Sequence, residues 1–230
     1  SPTVAVGARA YYRPGRGFEG GPLPEPVLDG LRDVAGTVVE TGVADTVTVQ
    51  TRQGGVRVFV DGVRAPSELV VCGSGHDVRP VVDLAKRVDF RVTVVSFRGA
   101  RADSGRFPGA DEVLSASPRD VPDLRAWDAD TYAVVMSHNF VEDRLAVEGL
   151  LDTPVPYVGV MGPEKRFAEM REAFTEEGRT FTETELDRIY TPIGVDLGGD
   201  SPYQIAYSIV GELLAVANGR DPGHLTERAG

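Results

Sequence analysis

The stretch VVCGSGHDVRP, residues 70–80, sets Gly73, Ser74 and Gly75 between an apolar run and a segment of helical spacing, with His76 and Asp77 following at once. Glycines at such a junction let main-chain N–H groups approach a ligand, and the helix that follows adds unpaired N–H groups and the positive end of its dipole. The chemistry this suits is the binding of phosphate or another anion. The third glycine of a G-x-G-x-x-G pattern is missing, because Val78 stands in its place. The next apolar run ends in Ser96, Phe97 and Arg98, where a ribose-binding carboxylate is expected. Arg98 is open to two readings, a partner for a 2′-phosphate as in an NADP site or a solvated surface arginine.

A second histidine, His138, follows the run YAVVMS with Ser137 before it and Asp143 one helical turn beyond. If the two runs are parallel strands, His76, Asp77 and His138 share one edge of a sheet, the edge where open α/β sheets place their sites. Two further turns fall on that edge. Gly159 and Gly162 punctuate YVGVMG ahead of Pro163, Glu164, Lys165 and Arg166, a basic turn suited to phosphate, and GVDLGGDSP (194–202) leads Asp196 and Gly198 into the last helix. A metal site is disfavoured, since the histidines and carboxylates show no tight ligand spacing. His224 lies in a polar tail, and Cys72, inside an apolar run, reads as a small buried hydrophobe rather than a nucleophile.

These turns need a scaffold. From Glu68 onward the sequence alternates apolar strand, polar turn and amphipathic helix, with strands expected at 69–73, 91–96, 111–114, 132–137 and 157–162. Helices are expected at 76–88, 139–151, 163–178 and 201–218, with a weaker piece near 118–126. Strands this uniformly apolar are covered on both faces, which predicts an α/β fold with a doubly wound, Rossmann-like parallel sheet. Asn139 with Glu142, and Ser201 with Pro202 and Gln204, read as helix caps. In the last helix Ile205, Ile209, Leu213 and Val216 form a stripe that is either core or a dimer face.

Ahead of residue 67 the pattern differs. Residues 4–13 suggest a strand, RPGRGFEGG a loop, and PEPVLDGLRDVAGTVVETG one amphipathic helix on Val27, Leu31, Val34 and Val38. The alternating runs 46–51 and 56–63 flank Gln53, Gly54 and Gly55, a hairpin pattern. Arg64, Ala65, Pro66 and Ser67 read as a linker. Two domains are expected, a small N-terminal α+β unit over 1–66 and the Rossmann-like unit over 67–230.

The composition narrows the partners. The 230 residues carry 35 Asp+Glu against 24 Lys+Arg, a net charge of -11, which disfavours a sequence-independent grip on nucleic acid or an anionic membrane. A chain that is 41% hydrophobic can build a core. Its single cysteine can form no internal disulfide, and no apolar run is long enough for a signal peptide or membrane span, so a cytoplasmic protein is expected.

Taken together, these segments resemble the XdhC/CoxI family, accessory proteins for molybdenum hydroxylases such as xanthine dehydrogenase and carbon monoxide dehydrogenase. The likeness runs through VVCGSGHDVRPVVDLAKRVDFRVTVVSFR, RFPGADEV, MSHNFVEDRLAVEGLL, PVPYVGVMGPEKR and IYTPIGVDLGGDSPYQIAYSIVGELLAV, and covers essentially all of 56–230. Residues 1–31, with SPTVAVGAR and FEGGPL, resemble the family's N-terminal domain more weakly.

The resemblance implies a maturation factor that binds the molybdenum cofactor, a phosphate-bearing pterin sometimes extended to a dinucleotide, and assists its sulfuration and insertion into an apoenzyme, usually as a homodimer. By position it implies cofactor contacts from Gly73, Ser74, Gly75, His76 and Asp77, from Ser137 and His138, from Gly159, Gly162, Lys165 and Arg166, and from Gly194, Asp196 and Gly198. This chain departs from the pattern twice. Many members carry a cysteine after paired glycines where Pro22 follows Gly20 and Gly21, and an acidic residue where Ser96 stands. Two other functions stay open, an NADP-dependent oxidoreductase using Arg98 for the 2′-phosphate and His138 as acid or base, and a nucleotide-sensing module with no chemistry.

Overall fold

A computed structural model describes residues 4–52, 54–63 and 66–228, and the chain divides into two compact units, Ser1–Ala65 and Pro66–Gly230. Of the expected linker and hairpin turn, Arg64, Ala65 and Gln53 lie outside the described residues.

In the first unit the expected N-terminal strand is a short antiparallel hairpin, β1 (Tyr11–Arg13) with β2 (Gly17–Glu19), so part of the expected loop is strand. The expected single helix is two, α1 (Glu25–Asp29) and α2 (Arg32–Thr41). The break falls at Gly30, where a Cβ would sit 2.6 Å from Val49 Cγ1, so the chain bends at the point that packs tightly on the neighbouring hairpin. That hairpin pairs β3 (Asp45–Thr51) with β4 (Gly54–Val60) in antiparallel register from Asp45↔Val60 to Thr51↔Gly54, and Gly54 and Gly55, expected in the turn, open β4. Val27, Leu31 and Val49 form the unit's core.

The second unit is built on six strands, β5 (Glu68–Cys72), β6 (Arg91–Ser96), β7 (Glu112–Ser115), β8 (Thr131–Val135), β9 (Val158–Val160) and β10 (Ile189–Tyr190), all parallel and ordered β10-β9-β8-β5-β6-β7. Counting from β5, this is the 3-2-1-4-5-6 order of dinucleotide-binding sheets, with its switch point between β5 and β8. The doubly wound fold expected from the sequence is the fold observed.

Alternate residues of each strand serve opposite faces. Leu69, Val71, Val92, Val94 and Val134 pack under α3 (Val78–Arg87) and α7 (Pro202–Ala217), whereas Val70, Cys72, Val95, Ala133 and Val135 pack under α4 (Phe140–Leu151) and α5 (Glu164–Glu176). A short helix, α6 (Glu183–Leu186), leads into β10. The stripe on α7 is core, with Ile209 and Leu213 fully buried and Ile205 and Val216 packed against them. The caps form as their residue types dictate. Asn139 accepts from the N–H groups of Val141 and Glu142, and Ser201 forms a reciprocal box with Gln204 behind Pro202.

Two crossovers, β6–β7 and β7–β8, have no α-helix. Two 3₁₀ turns, Gly99–Arg101 and Ser104–Arg106, join β6 to β7. The weaker piece near 118–126 is also 3₁₀, spanning Pro118–Asp123 with Pro122 inside it.

Candidate functional site

Gly73 lies between β5 and α3 at φ 152°, and a Cβ there would sit 2.5 Å from the main-chain oxygen of Met136. Glycine is therefore required by the close approach of the chain leaving β5 to the chain leaving β8. Its own N–H donates to Val95 O. The N–H groups of the next three residues, Ser74, Gly75 and His76, have no partner among the described residues, so the turn presents consecutive main-chain donors at the C-terminal rim of the sheet.

Beneath these donors sits Asp77, 9% exposed, the residue that precedes the first turn of α3. Its Oδ2 is 2.6 Å from Nε2 of His138, while its buried Oδ1 has no hydrogen-bond partner. Gly75 makes room for that carboxylate, since a Cβ at residue 75 would overlap Asp77 Oδ1. The expected role of Gly75, close approach to an anion, thus has a second physical reason beside it. His138 adopts φ 64°, a left-handed backbone costly for a residue with a Cβ, and its side chain is 55% exposed. His138, expected on the same edge as His76, instead meets Asp77, whereas His76 is exposed with no partner among the described residues.

Ser137 and Arg166 meet at Asp143, whose relative exposure is 1%. Asp143 Oδ1 accepts from the N–H and hydroxyl of Ser137, at 3.0 and 2.6 Å, and Oδ2 accepts from Arg166 Nη2 at 2.7 Å. Arg166 also lies over the Phe140 ring and against Gly162, where a Cβ would sit 2.7 Å from its Cδ. Ser137, Gly162 and Arg166 therefore clamp the ends of β8 and β9 to α4 and α5, and the Arg166 guanidinium expected to face a ligand is engaged by a buried carboxylate instead. Cys72, fully buried, has its thiol pushed up to about 12 by burial and by the charge of Asp143, which leaves it inert as a nucleophile.

Five expected site residues, Gly159, Lys165, Gly194, Asp196 and Gly198, stand apart from this cluster. Gly159 is inside β9, where it accommodates the Ile193 side chain and the Tyr157 hydroxyl. Lys165 is 85% exposed in its side chain and faces Glu169 one turn along. Asp196 accepts from the N–H of Gly198 within its own loop, both residues exposed, and the start of that loop is held on α7 by Gly194 N–H to Glu212 Oε2 and Val195 N–H to Ser208 O. No hydrogen bond or ion pair links this loop to the glycine turn among the described residues.

The third side of the site comes from the β6–β7 crossover. Ser96, fully buried, has its hydroxyl bonded to the Ser74 hydroxyl and to the Arg98 carbonyl, both at 2.8 Å. The side chain of Arg98 is 52% exposed, and its Nε lies 4.0 Å from Glu142. Arg106 donates from Nη2 to Ser74 O at 3.4 Å, and Arg101 lines a small recess with Gly73, Gly75 and Ser137. The sequence reading missed Arg101 and Arg106, although three arginines in RGARADSGR within an acidic chain were a visible signal. No group of three or more His, Cys, Asp or Glu able to hold a metal occurs among the described residues.

An all-parallel sheet in this strand order, with a glycine turn at its switch point, defines a Rossmann-type domain. Residues 69–213 match the family model of the XdhC Rossmann domain, and the chain belongs to that family. It is 26% identical over 156 residues to a probable xanthine dehydrogenase subunit of Bacillus subtilis (strain 168), covering 68% of this chain and 44% of that protein. It is 24% identical over 174 residues to the uncharacterized protein YqeB of Escherichia coli (strain K12), covering 74% and 31%. The chain thus spans less than half the length of these curated relatives. A solved xanthine dehydrogenase of Bacillus halodurans shares the fold at a TM-score of 0.60 and 20% identity, over 89% of this chain and 68% of that one. No helix among the described residues is long and apolar enough to cross a membrane.

Proposed function

We propose that this chain is an accessory factor in the maturation of a molybdenum hydroxylase, and that its glycine turn holds the phosphate of the molybdenum cofactor. The observation that carries this reading is the row of unpaired N–H groups on Ser74, Gly75 and His76 at the switch point, beside the N-terminus of α3. Family membership and the name of the Bacillus subtilis relative support a client of the xanthine dehydrogenase class.

The residues present suit a phosphate-bearing pterin in two respects. Main-chain donors meet the phosphate, and the half-exposed His138 ring, held by Asp77, offers a polar group to the ligand beside them. When bound, the metal centre supplies redox chemistry to the client enzyme, while this chain binds and orients the pterin. Cys72, buried and held as the thiol, does not hand sulfur to the cofactor. Action in the cytoplasm, as a homodimer, on the apoenzyme completes the proposal.

A second reading, an NADP-dependent oxidoreductase, is favoured by one observation. Asp77 engages Nε2 of His138 and leaves the other ring nitrogen to exchange a proton with a substrate. Mass spectrometry of the small molecules released from the purified protein, with molybdenum analysis, separates the two. A pterin phosphate is expected, and NADP with no pterin would overturn the first reading.

A further inference from the structure

We propose that the β6–β7 crossover carries a phosphomonoester subsite built from Arg98, Arg101 and Arg106, which selects ligands bearing a terminal phosphate dianion. The proposal rests on the glycine turn being the ligand site and names the chemical class that the site prefers.

The crossover is placed for this task by its two aromatic anchors. Phe97 packs into the core on the α4–α5 side of the sheet, and Phe107, 1% exposed, is buried on the α3–α7 side. Residues 98–106 therefore pass over the C-terminal rim from one face to the other. A helix at this crossover would carry its side chains down one face of the sheet. The 3₁₀ turns keep the three arginines at the rim, where Arg106 reaches Ser74 O and Arg101 borders the recess beside Gly75.

Three guanidinium groups over nine positions stand out in a chain of net charge -11. Their local counter-charges are few. Glu142, which also lines the recess, approaches Arg98 only to 4.0 Å, Asp103 is turned to the N–H of Gly105, and the Arg101 guanidinium has no hydrogen bond or ion pair among the described residues. At the end of β6, where a carboxylate would take two ribose hydroxyls and repel a phosphate, the buried Ser96 commits its hydroxyl to Ser74 and Arg98. Guanidinium groups without a carboxylate at this position fit a dianionic phosphomonoester, which they can hold through paired N–H donors. Two ligands present that group, the 2′-phosphate of a phosphorylated adenine dinucleotide and the terminal phosphate of a pterin mononucleotide.

Calorimetric titration of the full chain with two probe pairs tests the subsite, 2′,5′-ADP against 5′-AMP and neopterin monophosphate against neopterin. At least a tenfold preference for the member with one more phosphate, 2′,5′-ADP or neopterin monophosphate, is expected in one pair, and that pair identifies the source. Arg98→Ala with Arg101→Ala is expected to cut the preference at least fivefold, the rest being carried by the main-chain donors of the turn, and Arg101→Lys to keep more of it. The Arg98 side chain is 52% exposed and Arg101 is exposed, so circular dichroism should report an intact fold. Binding without a preference in either pair, or an equal loss for both members in the variant, overturns the subsite alone. Failure of all four probes to bind overturns the glycine-turn reading together with it.

Discussion

His138 and Asp77 meet at 2.6 Å across the switch point, joining the residue that follows β8 to the residue that precedes α3. The contact is made from a left-handed backbone at φ 64°, so His138 carries conformational strain of roughly 1–2 kcal/mol to hold its imidazole there. His138→Ala and His138→Gly both remove the bond to Asp77, but only glycine relieves the strain. In urea unfolding the glycine variant is expected to be about 1 kcal/mol more stable than the alanine variant. Equal midpoints would count against the left-handed geometry.

The two turn glycines should respond differently to one added methyl. At Gly73 the methyl meets main-chain oxygen, which cannot step aside, and Gly73→Ala is expected to lower stability by more than about 2 kcal/mol. At Gly75 it meets the end of the Asp77 side chain, which can rotate. Gly75→Ala is expected to cost about 1 kcal/mol or less and to move the His138 ring resonances in NMR spectra as the carboxylate leaves. Unmoved His138 resonances would show that Gly75 does not house Asp77.

Asp143 is the buried centre of a clamp, not a ligand contact. Its loss leaves the Ser137 hydroxyl and the Arg166 guanidinium without their acceptor. Asp143→Ala is expected to destabilise the fold by about 3–5 kcal/mol, and Asp143→Asn by less, since the amide oxygen still accepts from Ser137. Chemical denaturation of the two variants checks the order.

Acid should weaken the Rossmann-type unit through Asp111. Burial pushes its carboxyl up, but the Lys86 ammonium, the Val92 N–H and Arg91 outweigh burial and hold it below the ordinary value. A carboxyl depressed in the folded state stabilises fully above its unfolded value, about pH 4, and the contribution is lost as pH falls through the lower folded value. Asp111→Asn is expected to flatten the acid limb of the stability profile and to converge with the parent protein at the lowest pH. Parallel acid limbs for the two proteins would refute this.

The second unit was legible in the sequence because its central strands are apolar on both faces and its helices carry their caps in the residue types of Asn139, Ser201, Pro202 and Gln204. The break at Gly30 was not, because the apolar spacing from Val27 to Val38 runs straight through it and the bend is set by Val49, distant in sequence. Strand β10, with two residues, is too short for any periodicity to reveal. At the site, topology alone places His76, Asp77 and His138 on one rim, but the contact of Asp77 with His138 depends on side-chain packing that no local pattern reveals. Which rim residues face a ligand depends on partners far along the chain. Arg166 is taken by Asp143 and Gly159 by Ile193, and neither pairing leaves a local trace.

The position of β5 bears on how the chain is made. It is the first strand of its sheet to be synthesised, yet it lies between β6 and β8 in the finished order. Until Thr131 and the residues after it have left the ribosome, one edge of β5 has no neighbour, and Leu69–Cys72, wholly excluded from water in the native protein, stand open to other chains. A nascent polypeptide stopped short of β8 is thus an aggregation template, so the wait for β8 is the interval in which chaperone protection matters most.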